Sequence, residues 1–172
     1  VTNIWYRAFG YCTSLTSITI PNSITSIDNG VFERCINLKT VNIPNSVTSI
    51  NEYAFYWCEG LEEIIIPNSV TSIGLRAFAA CSNLKSIEIP DSLGGIDRLA
   101  FSGCSNLNSV KIPKSVANIG EEAFGYNGTE KIKKFKIYGY VGSTAQFYAK
   151  INDIDFIDLD KIVNGEYNYD VD

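Results

Sequence analysis

The chain has 172 residues, of which 45% are hydrophobic and 19% are charged, and its formal net charge at pH 7 is −5. This length and apolar content suffice for a substantial core, which argues against intrinsic disorder and against a highly charged nucleic-acid-binding protein. The sequence contains no histidine, and this excludes Ser-His-Asp triads, Cys-His pairs and His-ligated zinc.

The dominant feature of the sequence is a period of 23 residues. Phenylalanine recurs at this spacing, and a cysteine follows each of the first five phenylalanines by three residues. The two columns are Phe9, Phe32, Phe55, Phe78, Phe101 and Phe124, and Cys12, Cys35, Cys58, Cys81 and Cys104. Leucine, isoleucine and proline columns share the period. Such regularity predicts a solenoid in which each 23-residue repeat forms one full coil.

The pattern inside one repeat predicts a strand, a second extended piece and a turn. Ile64 and Ile66 alternate about Ile65 as in a strand, and Pro67 ends that strand because it lacks an N–H group. A second short extended piece follows, and residues 76–80 are long enough for about one helical turn. Neighbouring repeats are expected to pair their strands about 4.8 Å apart in a parallel sheet.

The repeat resembles a known family. The segment LKTVNIPNSVTSINEYAFYWCEG, from Leu38 to Gly60, follows the pattern LxxIxIPxSVxxIGxxAFxxCxN and is similar to the BspA-like class of leucine-rich repeats. The resemblance covers about residues 8–137. It implies a right-handed repeat solenoid with a parallel β-sheet face and short helical turns on the other side. The pattern lapses near its C-terminal end, where we infer a two-residue insertion after Gly125 that restores a last strand.

The solenoid is predicted to occupy residues 1–138, in about six repeats, and an α/β C-terminal cap residues 139–172. Because residues 1–6 enter partway through a repeat, we expect the chain to be cut from a longer repeat protein. In the cap, Ser143 and Gln146 form a capping box that opens a helix to about Ile151, with Asn152 as its stop.

After this helix, residues 155–157 are predicted to form a strand that covers the edge of the last repeat. The pair Asn164-Gly165 between two short apolar or aromatic pieces predicts a β-hairpin. Residues 152–172 carry seven acidic residues and one lysine. The last five residues are interpreted as an acidic tail, and the beginning of a calcium-binding loop is the alternative.

The five cysteines are predicted to be a column of buried free thiols. Parallel Cβ vectors in adjacent repeats keep the Cβ atoms near 5 Å, beyond the roughly 3.5–4.5 Å of a disulfide. The sequence has no CxxC motif and no carboxylate cluster nearby to complete a zinc site. All five thiols are therefore expected to be unreactive until the protein is denatured, with a metal or redox role as the alternative. No metal and no cofactor is predicted.

One candidate binding surface is the outward side of the predicted sheet, called the sheet face. Its residues stand between the inward leucines and isoleucines of each strand. They are Ser17, Thr19, Thr40, Asn42, Glu63, Ile65, Ser86, Glu88, Ser109, Lys111, Lys134 and Lys136. A rigid scaffold would let this face bind a ligand at little ordering cost. The alternative is a solvated surface without a partner.

A second candidate is the aromatic column on the opposite side. Tyr11, Arg34 and Trp57 occupy equivalent positions, with Tyr53 and Tyr56 close by. An arginine between two aromatic rings predicts a cation–π stack, which serves either ligand contact or structure alone.

The sequence also has one basic cluster. Its members are Lys131, Lys133, Lys134 and Lys136. Lysines on a terminal strand favour protection of that edge over the binding of polyanions.

The resemblance implies a function as well as a fold. BspA-like proteins are typically bacterial surface or secreted proteins implicated in adhesion. It thus implies a non-catalytic adhesion module, extracellular or at the cell surface. Such a module binds an extracellular-matrix or cell-surface protein, with a polysaccharide as the alternative ligand, and neither binds nucleic acid nor inserts into a membrane. The alternative is a structural spacer that presents another domain. Catalysis is disfavoured because the repeat columns place no base beside their Ser and Thr hydroxyls. Variation of the sheet face between repeats favours binding over the spacer.

Overall fold

The computed structural model describes residues 3–163 and 166–167. Its main body is a solenoid of about six repeats, of which the first five contribute two short strands each, and a cap with one helix follows. The strands are β1 Ser17–Thr19, β2 Ser26–Ile27, β3 Thr40–Asn42, β4 Ser49–Ile50, β5 Glu63–Ile65, β6 Ser72–Ile73, β7 Ser86–Glu88, β8 Gly95–Ile96, β9 Ser109–Lys111, β10 Asn118–Ile119, β11 Tyr126–Asn127, β12 Glu130–Lys131, β13 Lys136–Gly139, β14 Asp155–Asp158, β15 Ile162–Val163 and β16 Glu166–Tyr167. The helix α1 spans Thr144–Ile151, and a 3₁₀ turn spans Leu159–Lys161.

The repeats stack in parallel register, as the period predicts. The first strands of the repeats form a two-stranded sheet, β1-β3, and, together with the cap strand β14, a five-stranded sheet in the order β14-β13-β9-β7-β5. The second strands form another five-stranded parallel sheet, β10-β8-β6-β4-β2. In this second sheet Ile27 lies opposite Ile50 and Ile50 opposite Ile73, 23 residues apart. The predicted solenoid with a parallel sheet is therefore confirmed, and the second extended piece adds a second sheet.

The core is organised around the phenylalanine column. Successive rings from Phe9 to Phe124 stack nearly parallel, with centroid distances of 5.5, 5.2, 5.1, 5.1 and 4.7 Å. All of them except Phe9 are fully buried. Stacking at this spacing adds to the free energy gained by burying the rings. Each internal ring packs on both neighbouring repeats, so a repeat depends on its neighbours for stability.

The side of each repeat predicted to be a helical turn consists of hydrogen-bonded turns instead. Within residues 76–80, the left-handed φ angles are 51° at Arg76 and 60° at Ala80. The N–H of Ala79 donates to Arg76 O in the same repeat, whereas the N–H of Phe78 donates to Ala100 O in the next, at 2.8 Å. Two left-handed residues four positions apart break the helical hydrogen-bond pattern. This side, called the turn face, therefore also joins the repeats.

The cap helix follows the predicted bounds. Ser143 is its N-cap and accepts a hydrogen bond from the N–H of Gln146, and Asn152 is its C-cap. The Gln146 side chain accepts from the N–H of Gly142 rather than from that of Ser143. The buried Tyr148 hydroxyl donates to Phe124 O at 2.9 Å and accepts from Phe124 N at 3.0 Å. The helix is thus attached to the backbone of Phe124, the last residue of the phenylalanine column.

The remainder of the cap extends the sheet. β14 pairs with β13 in parallel, which confirms the strand predicted at residues 155–157. β15 and β16 pair antiparallel as expected for a hairpin, but its predicted turn, Asn164-Gly165, and the predicted acidic or calcium-binding tail at residues 168–172 lie outside the described residues. In the described part of the chain, no helix has the length and apolar character needed to cross a bilayer.

Candidate binding surfaces

The sheet face is a continuous surface of exposed side chains along the strand register. The predicted members that lie on its strands and are exposed are Ser17, Thr19, Thr40, Asn42, Glu63, Ile65, Ser86, Glu88, Ser109, Lys111 and Lys136. The strands place Glu63 opposite Ser86 and Glu88 opposite Lys111. Charge therefore changes along the face from acidic at β5 and β7 to basic at β9 and β13.

The prediction that Lys134 belongs to the sheet face is wrong. Lys134 has a φ angle of 60° and lies in the turn before β13. Lys136 lies opposite Ser109, and Tyr138 lies opposite Lys111. The offset across this pair is 27 residues, so the insertion amounts to four residues and not two. The last repeat accordingly contributes Lys136 and Tyr138 to the sheet face, and Tyr138 is the member that the repeat pattern missed.

The lysine cluster does not protect a terminal edge. Lys136 lies on β13, which is paired on both sides with β9 and β14. Lys131 lies on β12, and its ammonium is 3.4 Å from the carboxylate of Asp153. Lys133 and Lys134 lie between these two strands. The expectation fails because β14, and not β13, is the edge strand of this sheet.

A groove divides the sheet face between β3 and β5. These strands pack side by side, yet among the described residues they form no backbone ladder. The cavity there has a volume of about 440 Å³ and is lined by β1, β3 and β5. Ile18 and Val41 are only half-buried at this place, whereas the equivalent Val110 is buried. We call this cavity the sheet-face groove.

An exposed isoleucine stands at the sheet-face groove. Ile65 is 80% exposed, although its equivalents in other repeats are polar or charged: Thr19, Asn42, Glu88 and Lys111. A large apolar side chain that is surrounded by polar groups on a rigid sheet is the kind of residue that anchors a protein interface.

The exposed charges beside the groove are partly paired. The Lys85 ammonium lies 2.6 Å from the Glu62 carboxylate, and this hydrogen bond lowers the pKa of Glu62. Glu63, by contrast, makes no ion pair with any described residue. It is therefore free to meet a cationic group of a ligand.

The aromatic column forms the predicted cation–π stack. The Arg34 guanidinium carbon lies 4.0 Å from the Trp57 ring centroid and 5.7 Å from that of Tyr11. Tyr56 contacts both Tyr53, edge-on at 5.5 Å, and Trp57 at 5.9 Å. Arg34 Nε is buried and has no hydrogen-bond partner among the described residues, so the rings provide its stabilising contact. The stack gives this side a rigid aromatic surface, most exposed at Tyr11.

The cysteines are free, and four of the five are buried as predicted. Each buried thiol donates to the carbonyl of the phenylalanine one repeat earlier, from Cys35 to Phe9 at 3.0 Å and similarly along the column. Burial raises the pKa of Cys35 to about 11 and the pKa of Cys104 to about 12. Burial also raises the pKa values of Cys58 and Cys81.

Cys12 departs from the expected buried column. Its side chain is exposed because, among the described residues, no complete repeat packs on its N-terminal side. No group of three His, Cys, Asp or Glu residues that could hold a metal ion occurs in the part of the chain that the structure describes.

A comparison with known protein families identifies the repeat. Six copies of the "BspA type Leucine rich repeat region" model match residues 2–133. No curated protein matches the sequence significantly.

Several solved structures share the fold. A leucine-rich repeat protein of T. pallidum has a TM-score of 0.62 and 22% identity over 87% of this chain and 74% of its own. A leucine-rich repeat protein of Bacteroides ovatus has a TM-score of 0.53 and 28% identity over 83% of this chain and 50% of its own.

The pneumococcal vaccine antigen PcpA has a TM-score of 0.64 and 20% identity over 83% of this chain and 41% of its own. This chain thus spans at most half the length of the Bacteroides and pneumococcal proteins. Because the family model matches well over half of its residues, the chain belongs to the BspA-type leucine-rich repeat family.

Proposed function

We propose that the chain is a non-catalytic protein-binding module of a bacterial surface or secreted protein, and that it adheres through its sheet face to host matrix or cell-surface proteins. Family membership supports a role in protein interaction, and one protein with the same fold is described as a vaccine antigen. The observation that carries the proposal is Ile65, which is 80% exposed at the sheet-face groove.

The geometry suits a protein partner for three reasons. The strands hold the face rigidly, so binding orders few side chains. Ile65 supplies an apolar anchor, and its burial in a partner is worth about 1.5–2 kcal/mol, or about a tenfold to thirtyfold gain in affinity. Glu63, Glu88 and Lys111 around it supply charges that select and orient the partner.

The test is surface plasmon resonance against immobilised fibronectin, fibrinogen and collagen. We expect saturable binding to one of them, weakened about tenfold or more by Ile65→Thr. Threonine occupies the same column at Thr19 and is β-branched, so the strand is retained. The matched control is Val141→Thr in the cap, because Val141 is 64% exposed but lies outside the sheet face.

A double variant, Glu63→Ala/Lys111→Ala, tests the charges. We expect it to reduce the association rate and to weaken the salt dependence of binding. The dissociation rate is expected to change less than the association rate. Equal effects of Ile65→Thr and Val141→Thr would contradict the sheet face as the binding surface. Absence of any saturable binding by the folded chain would favour the structural spacer.

A further inference from the structure

A second groove lies on the turn face, next to the aromatic column. It has a volume of about 420 Å³ and is lined by residues of four successive repeats. The groove exists because side-chain size falls along one column. Trp57 is followed at equivalent positions by Ala80 and then Gly103. We call this cavity the turn-face groove.

Both ends of the turn-face groove are walled. At one end, Arg34 covers the Trp57 ring from the preceding repeat at 4.0 Å, so the groove lies on the side of the ring toward Ala80. At the other end stands the insertion hairpin β11–β12, with Asn127, Gly128 and Thr129 lining the groove. Three repeat spacings of about 4.8 Å separate these walls by about 14 Å. This length fits several sugar rings rather than one.

The floor and rim carry polar groups without protein partners. Ser102 lines the groove, and although the residue is only 8% exposed, its hydroxyl makes no hydrogen bond to any described residue. The hydroxyl is not among the fully buried, unpartnered side-chain atoms, so it is accessible from the groove and can hydrogen-bond to a ligand hydroxyl. The guanidinium of Arg76 lines the same groove and has no ion pair or hydrogen bond in the described part of the chain.

The charges of the groove balance. Arg98 is paired with Glu121 at 3.3 Å, and Arg76 and Glu122, which also line the groove, carry one charge of each sign. A polyanion would therefore gain little net attraction. An aromatic wall together with a few convergent hydrogen-bonding groups suits a ligand that is amphipathic and uncharged.

We propose that the turn-face groove binds a neutral oligosaccharide, with the apolar face of one sugar ring against Trp57 and its hydroxyls hydrogen-bonded to Ser102 and Arg76. The electronegative face of the indole attracts the polarised C–H groups of a sugar ring. Each sugar hydroxyl both donates and accepts, which matches a serine hydroxyl, an arginine and the Asn127 amide. This site is separate from the sheet face, so it does not depend on the protein-binding proposal.

The test is calorimetric titration of the chain with four neutral tetrasaccharides: maltotetraose, cellotetraose, laminaritetraose and N-acetylated chitotetraose. Tetragalacturonic acid provides the charged comparison. We expect at least one neutral sugar to bind with a Kd below about 1 mM. Trp57→Ala removes the wall, and Ala80→Tyr fills the groove while leaving Trp57 in place. Each is expected to weaken binding about tenfold or more.

Two considerations distinguish an effect on the groove from a loss of folding. The backbone tolerates Ala80→Tyr because Tyr11 occupies the same column with a similar φ angle. Trp5→Ala removes a tryptophan that is 71% exposed and lies outside the groove, and it is expected to leave the affinity unchanged.

Any of three results would overturn the proposal. The first is that no neutral sugar binds at about 10 mM. The second is that tetragalacturonic acid binds more tightly than every neutral sugar, and the third is that Ala80→Tyr binds a neutral sugar as tightly as the unaltered chain.

Discussion

The buried thiols are expected to make the solenoid less stable as the pH rises into the alkaline range. Cys58, Cys81 and Cys104 are fully buried, and burial raises their pKa values well above that of an exposed thiol. In the unfolded chain the pKa of each is about 8.5. Because the folded pKa is the higher one, the native state keeps its protons while the unfolded state loses them. The stabilisation is fully present below about pH 8.5 and is lost as pH rises above that value.

The size of this effect follows from proton linkage. At about pH 9.5 each thiol lowers the free energy of unfolding by about 1.4 kcal/mol, so three thiols lower it by about 4 kcal/mol relative to about pH 7.5. This is a large part of the total stability of an ordinary domain. The assay is urea denaturation at both pH values with a reductant present, and unfolding is monitored by circular dichroism.

The matched control replaces the three cysteines by serine. A serine hydroxyl does not titrate in this range and can donate the same bond to the phenylalanine carbonyl, as Cys81 does to Phe55 O at 3.2 Å. The triple variant is expected to be less stable at about pH 7.5 but to lose about 4 kcal/mol less on going to about pH 9.5. If both proteins lose the same free energy, the buried thiols are not the cause.

Three further measurements test the core, the cap and the first repeat. Phe78→Ala removes a ring stacked on both sides and should cost about 3–5 kcal/mol in urea denaturation, whereas Phe9→Ala removes a half-buried ring stacked on one side and should cost less; equal costs would contradict the stacking argument. Tyr148→Phe leaves the N–H and carbonyl of Phe124 without their partner and should cost about 1–3 kcal/mol, and a loss below about 0.5 kcal/mol would refute that role. A thiol reagent should modify only Cys12 in the native chain, and rapid reaction of a second cysteine would contradict the buried column.

The sequence predicts those parts of the fold that repeat or that depend on neighbouring residues. The column of Phe32 and its equivalents fixes the 23-residue register, because only one stacking places every ring over the next. The cap helix is predictable within one residue because Ser143 and Gln146 make local hydrogen bonds. The stack of Arg34 on Trp57 was also predictable, since equivalent positions in adjacent repeats are neighbours in space.

Other features depend on tertiary structure that no repeat column records. Nothing in the period signals the gap between β3 and β5, because the leucine, isoleucine and proline columns continue through it. Lys134 was misplaced because the inserted residues form the hairpin β11–β12, and the loop length alone does not say where pairing resumes. Cys12 shares the motif of its equivalents, but burial depends on the neighbouring repeat rather than on the motif.

The turn-face groove also lay outside the sequence prediction, although a signal was present. Side-chain volume decreases from Trp57 to Ala80 and Gly103, and the insertion follows in the next repeat. A comparison of side-chain volume along each column, rather than of residue type, would have located the groove.

The left-handed positions of the turn face couple the thermal stability of this protein to the ligands that this face can bind. Glycine adopts these φ angles without strain, as Gly103 does, whereas Trp57 and Arg34 adopt them at a conformational cost. Selection or engineering for heat resistance would therefore favour glycine in this column, and each such change would erase part of the aromatic surface. Family members with glycine at these positions should therefore unfold at higher temperature but bind fewer ligands on the turn face.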